Sequence, residues 1–101
     1  CYFELIGPTG HFYHDKIRAF ICYWGEHLKY KWHSHEAEEL YYILGGKALF
    51  KTKTKSKVLN ANETQFHKSW QSHSMETFED PLLAFILWRG NGLDQLARID
   101  D

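Results

Sequence analysis

A chain of 101 residues, 44% hydrophobic and 25% charged, has the length of one globular domain and too little for two separate cores. Its formal net charge of −1 supplies no field to draw it onto nucleic acid or an anionic membrane, and no apolar run approaches the roughly 20 residues of a membrane span. Only Cys1 and Cys22 occur, outside any CxxC spacing, which excludes a disulfide framework and a thiolate zinc site and fits a reducing, cytoplasmic setting. The first residues carry no signal-peptide pattern, and the opening on Cys1 rather than Met makes a missing N-terminal portion an expectation.

In chain order, Cys1 to Lys16 reads as an arm or an edge strand. Ile17 to Trp24, Leu28 to His35, Glu39 to Leu44 and Lys47 to Thr54 then read as strands, because short β-branched and aromatic runs alternate with turn signals. Thr64 to His67, His73 to Phe78 and Leu82 to Trp88 follow. Gly45-Gly46, Asn60-Ala61-Asn62, Glu79-Asp80-Pro81 and Arg89-Gly90-Asn91-Gly92 separate these elements. The tail, Leu93 to Ile99, is expected to form one or two helical turns. No stretch holds the 3.6-residue period of an amphipathic helix, so the fold class is all-β, an antiparallel barrel or a double-sheet sandwich. Lys51 to Lys57, with lysine at every second position, reads as a solvent-facing hairpin protected from edge-to-edge pairing. No aromatic residue interleaves these lysines, as a single-strand nucleic-acid platform would need.

Seventeen aromatic residues and seven histidines exceed the needs of an ordinary core of this size. The chemistry concentrates in the run from Trp32 to Gly46. On a strand His33 and His35 share a face, as do Glu39 and Tyr41, and a turn at Glu36 to Glu38 would aim both pairs at one point. His73 offers a third imidazole. Three His and one Glu suit one divalent transition metal, Fe(II), Zn(II), Mn(II) or Ni(II), with open positions for a small molecule. His11, His14, His27 and His67 read as ordinary histidines, although His67 lies close enough in sequence to a turn to support a ligand.

The spacing HxH, three residues, Glu, six residues, Gly resembles the first cupin motif, carried by His33, His35, Glu39 and Gly46. The second cupin motif is degraded. Where the family has Gly-Asp, Pro-x-Gly-x-x-His and a later Asn, this chain has Asn62-Glu63, Lys68, Trp70, His73 and Thr77. His27 stands where glycine usually precedes the first His by six. These departures concern turns more than ligands. A narrower resemblance, through His35-x-x-x-Glu39-x-Tyr41, Trp70 to Thr77 and Asp80 to Gly90, is to the bacterial cupin-type dimethylsulfoniopropionate lyases.

That resemblance implies a single cupin (jelly-roll-like) barrel over residues 1–101, its core at about 17–90, with a short irregular N-terminal arm and C-terminal tail. Several members are longer, so the chain is open to being part of a longer one. It further implies a metal-dependent β-elimination yielding acrylate and dimethyl sulfide, with no organic cofactor. His35, Glu39 and His73 would be metal ligands, Tyr41 a ligand or the base, and His33 and Tyr30 further active-site groups. His33 is a candidate ligand as well. Trp24, Tyr30, Trp32, Phe85 and Trp88 are candidates for holding the substrate's sulfonium by cation–π attraction, with Tyr30, Trp32 and Trp88 taken as its binding residues. Tyr30 has the parity opposite to His33 and His35, so its entry to the site would need a bulge or a lid conformation between them. The expected partner is a small molecule, not nucleic acid or membrane, with a homodimer open. A cupin dioxygenase or isomerase acting on another small acid, and a non-catalytic ligand-binding cupin, are the alternatives.

Overall fold

The structure, a computed structural model, describes residues 2–7, 12 and 16–100. Cys1, His11 and His14 lie outside the described residues. Ten strands follow one another: β1 (Tyr2–Ile6), β2 (Ile17–Trp24), β3 (Lys29–Ser34), β4 (Glu38–Gly45) and β5 (Lys47–Thr52), then β6 (Ser56–Asn60), β7 (Thr64–His67), β8 (His73–Thr77), β9 (Leu82–Arg89) and β10 (Arg98–Ile99). They form two five-stranded sheets, in the orders β1-β2-β9-β4-β7 and β10-β3-β8-β5-β6, and every pairing of strands is antiparallel. The sheets are not hydrogen-bonded to one another, so the barrel of the sequence reading is a double sheet rather than a closed ring. Among the described residues no helix is long and apolar enough to cross a membrane.

The core lies between the sheets and follows from period-two alternation. In β4, Glu39, Tyr41 and Ile43 are buried while Leu40 and Leu44 are exposed. Phe50, Ile43, Leu59 and Leu82 are fully buried, each contributing about 1.5–3 kcal/mol relative to exposure. Gly46 turns β4 into β5 at φ 78°, and a Cβ there would lie 2.1 Å from the Pro81 carbonyl oxygen, so only glycine fits.

Of the two readings of the N-terminal stretch, arm or edge strand, the described residues show an edge strand, β1, paired along β2 with a register shift between Glu4 and Ile6. The helical expectation for the tail changes. The tail makes a turn, where Gln95 N–H donates to Gly92 O at 3.1 Å, and then a short strand, β10, opposite His33 and Ser34 of β3. It is not helical, because Asp100 ties it to the second sheet: the carboxylate accepts from Ser34 Oγ (3.1 Å) and Ser72 Oγ (2.7 Å). The lysine run is the β5–β6 hairpin, with Lys51 paired to Glu76 at 3.1 Å.

Three described residues other than glycine have left-handed φ: His27 (51°), Asn62 (71°) and Trp70 (60°). These are the three positions where the cupin motifs carry glycine and this chain does not. The backbone keeps the glycine conformation while the side chain has changed, and an L-residue held there costs about 1–2 kcal/mol, least for Asn.

Candidate metal centre and active site

Two sheets meet at the site. Glu39 sits inside β4, directly opposite Trp88 of β9 on one side and His67 of β7 on the other. The second sheet brings His73 of β8 opposite His33 of β3, and His35 follows β3 in the link to β4. One ligand atom each from His35, Glu39 and His73 lies within 4.8 Å of the others, and all three residues are buried.

The imidazole tautomers are fixed by backbone carbonyls, which can only accept. His35 Nδ1–H donates to Ala37 O (2.8 Å) and His73 Nδ1–H to Gln71 O (2.8 Å), so both Nε2 atoms present lone pairs inward. Those Nε2 atoms stand 3.5 Å and 3.1 Å from Glu39 Oε1, yet neither makes a hydrogen bond of acceptable geometry. Three electron-rich atoms in a buried space require a cation or protons. Burial works to lower the His35 pKa, but the close Glu39 carboxylate, helped by the Ala37 carbonyl, outweighs it and raises it. Burial likewise pushes the Glu39 carboxyl up, and His35, His67 and His73 together hold it well below the usual carboxylate range. Two His and one Glu, with second nitrogens anchored to carbonyls, form a divalent-metal-binding triad.

His33 donates from Nδ1 to Lys31 O (2.6 Å) and is buried beside His73, but it does not join the triad's cluster. Burial and the nearby His73 push its pKa down to about 4, so the ring is neutral. Tyr41 is buried on the same face of β4 as Glu39, and burial followed by the Glu39 charge raises its phenol well above the ordinary value. Tyr30 joins this face because the β3–β8 register shifts between Tyr30 and His33, the bulge that its parity demands.

These groups open into a cavity of about 410 Å³, within the range for small-molecule sites. Trp24 stands over both Tyr30 and Tyr41, at ring-centroid distances of 6.4 Å and 6.3 Å. Arg18 and Phe20 line the other side, and Asp94 to Ala97 form the rim. Arg18 is paired with Glu4 and donates to the Leu93 carbonyl, which ties the rim to β2.

Trp32 does not line the cavity. The bulge that turns Tyr30 inward leaves Trp32 on the other face, beneath Lys53 Nζ at 3.8 Å from its ring, so it is not placed to bind substrate. Phe85 is also absent from the lining, having the parity opposite to Ile86. Trp88 does line the cavity, although its indole N–H is committed to Glu39 Oε2 at 2.6 Å. His67, read from sequence as ordinary, is fully buried and donates from Nδ1 to Glu39 Oε1 at 3.2 Å. Its position shows only in the β4–β7 register, which no local spacing announces.

A family model for dimethylsulfoniopropionate lyase matches residues 1–84 of this chain. The dimethylsulfoniopropionate lyase DddQ of Ruegeria pomeroyi is 38% identical over 88 residues, 86% of this chain and 44% of that protein. The chain belongs to the dimethylsulfoniopropionate lyase family. The crystal structure of the Ruegeria pomeroyi DSS-3 lyase superposes with a TM-score of 0.93 at 34% identity, covering 98% of this chain and 50% of that one. A chain from the crystal structures of the lyases RdDddP and RnDddQII gives 0.94 at 42% identity, over 99% of this chain and 52% of the other. This lyase-family chain thus spans about half the length of these relatives. A cupin-like protein of Thermotoga maritima, 16% identical, superposes with a TM-score of 0.77 over 98% of this chain and 74% of its own, a likeness of fold alone. The double sheet is therefore cupin-like.

Proposed function

We propose that this chain carries a metal-dependent carbon–sulfur lyase site that cleaves dimethylsulfoniopropionate to acrylate and dimethyl sulfide. The observation that carries the reading is the convergence of two buried, partnerless imidazole nitrogens on Glu39 Oε1, at the end of a cavity walled by Trp24, Tyr30 and Tyr41. Family membership supports the same reading.

His35, Glu39 and His73 would hold the metal, one of Fe(II), Zn(II), Mn(II) or Ni(II). When bound there, the ion would polarise the substrate carboxylate as a Lewis acid and favour the phenolate of a neighbouring tyrosine. The difficult event in the elimination is removal of a proton from the carbon beside a carboxylate. Tyr41 is the proposed base: its phenolate Oη takes the α proton, the C–H electron pair forms the C=C bond, and the β C–S bond breaks. Dimethyl sulfide leaves with the C–S bonding pair as its lone pair, and acrylate remains. Tyr30 and neutral His33 line the same space and orient the substrate. Trp24, Tyr30 and Trp88 offer aromatic faces to the sulfonium, at about 0.5–2 kcal/mol for each well-placed ring.

Residues 17–90 are proposed as the core of a single cupin domain whose two sheets act together as a barrel. A cytoplasmic setting, a small-molecule substrate, no nucleic-acid partner and an open possibility of homodimerisation complete the reading. The test is to load the protein separately with Fe(II), Zn(II), Mn(II) and Ni(II), add dimethylsulfoniopropionate, and measure acrylate and dimethyl sulfide. Equimolar release of both is expected with at least one metal; release with none overturns the proposal.

A further inference from the structure

Glu39 is flanked across the sheet by Trp88 and His67, its direct partners on β9 and β7. Each donates to a different oxygen. Trp88 Nε1–H reaches Oε2 at 2.6 Å, and His67 Nδ1–H reaches Oε1 at 3.2 Å. The Gln65 amide donates to His67 Nε2 at 2.9 Å, which leaves the ring proton on Nδ1. The same two side chains also lie against the imidazoles of the triad. Trp88 stacks on His35, with centroids 4.2 Å apart and planes 27° from parallel. His67 stacks on His73, at 3.9 Å and 17°. Four contacts from two residues therefore restrain all three groups of the triad.

We propose that His67 and Trp88 are paired positioning residues that lock the metal-binding triad, aiming Glu39 Oε1 at the two imidazoles while Oε2 is held by the indole. The inference rests on the reading that His35, Glu39 and His73 hold a divalent metal, and it gives His67 and Trp88 no part in bond making. Donors outside a metal's own ligands commonly account for about 10–100-fold in affinity.

Three variants separate the roles. Trp88→Phe and His67→Phe keep a ring for stacking and remove the donor; His67→Asn restores an N–H near the Nδ1 position and removes the ring. Co(II) affinity is read by competition with a chromophoric chelator, and ligand geometry by the visible absorption of the Co(II) protein. Each Phe variant is expected to weaken Co(II) binding by about 10–100-fold and to alter the Co(II) spectrum, with His67→Asn recovering most of the affinity. Because both donors hold one carboxylate, the double Phe variant is expected to depart from the product of the single losses. If His67→Phe does not fold, Gln65→Leu replaces it, removing the amide that fixes the His67 tautomer, with the same direction of change. Folded variants that bind Co(II) within about twofold of the parent, with an unchanged spectrum, overturn the proposal. The lyase reading fails separately, by absence of acrylate from the metal-loaded parent.

Discussion

Tyr30 and His33 stack with ring centroids 4.0 Å apart and planes 14° from parallel, although they stand three positions apart on one strand. Strict alternation would send them to opposite faces. Between them β3 has two residues, Lys31 and Trp32, where β8 has one, Ser74, and this bulge returns Tyr30 to the inner face. Two tyrosines thus face the triad's cavity from opposite sheets, and they are open to separate tests.

Tyr41→Phe is expected to lower the rate of acrylate release by at least about 100-fold, the scale of a lost general base, while bound metal stays stoichiometric. Tyr30→Phe keeps the ring stacked on His33 and is expected to retain most of kcat. Acrylate assay beside metal analysis decides between them; turnover near the parent rate in Tyr41→Phe removes it as the base.

Metal removal gives a second expectation. His35→Ala and His73→Ala each leave two ligands, so both metal content and activity should be lost. In the parent, metal at about 100 times its dissociation constant should add about 2.7 kcal/mol of stability, reversed by a chelator. Thermal melts with and without metal measure this, and neither Ala variant should respond. A chelator-insensitive parent melt would contradict the site.

Trp24 is the aromatic face shared by Tyr30 and Tyr41. Trp24→Leu should raise KM for the sulfonium substrate by about 2- to 30-fold, the equivalent of one cation–π contact of about 0.5–2 kcal/mol. Inhibition by the uncharged analogue with carbon in place of sulfur should change far less. Equal losses for the two ligands would reduce Trp24 to packing.

The strained turns predict a gain. His27 is exposed at φ 51°, so His27→Gly relieves steric cost without emptying a cavity. After the entropy that glycine loses on folding, a net stabilisation of up to about 1 kcal/mol is expected, read as a melting temperature raised by a few degrees. Gly46→Ala should do the reverse, because its Cβ meets Pro81 O at 2.1 Å.

Much of this was legible in the sequence because it is local. Period-two alternation and turn residues located most strands, Ile17–Trp24 to the residue. β6 escaped because its Ser56-Lys57 start is polar, and the tail strand escaped because two residues carry no periodicity. The HxH spacing, Glu39 and His73 pointed by chemistry to a site of three His and one Glu; the lyase resemblance implied His35, Glu39 and His73 within it, and the cupin motifs indicated which turns depart from glycine. Strand register is a different kind of information. It depends on pairing between segments far apart in the chain, as β4 pairs with β7 and β9, and so nothing local marked His67 or the inner role of Trp88. The bulge defined only against β8 brought Tyr30 inward, while Trp32, next to His33, stayed on the opposite face and out of the cavity. Residue types and local spacing brought forward the groups with the chemistry to bind a metal and take a proton. Only the tertiary structure decided which side chains hold those groups in place, because a carboxylate between two strands is oriented by whatever residues the register sets opposite it.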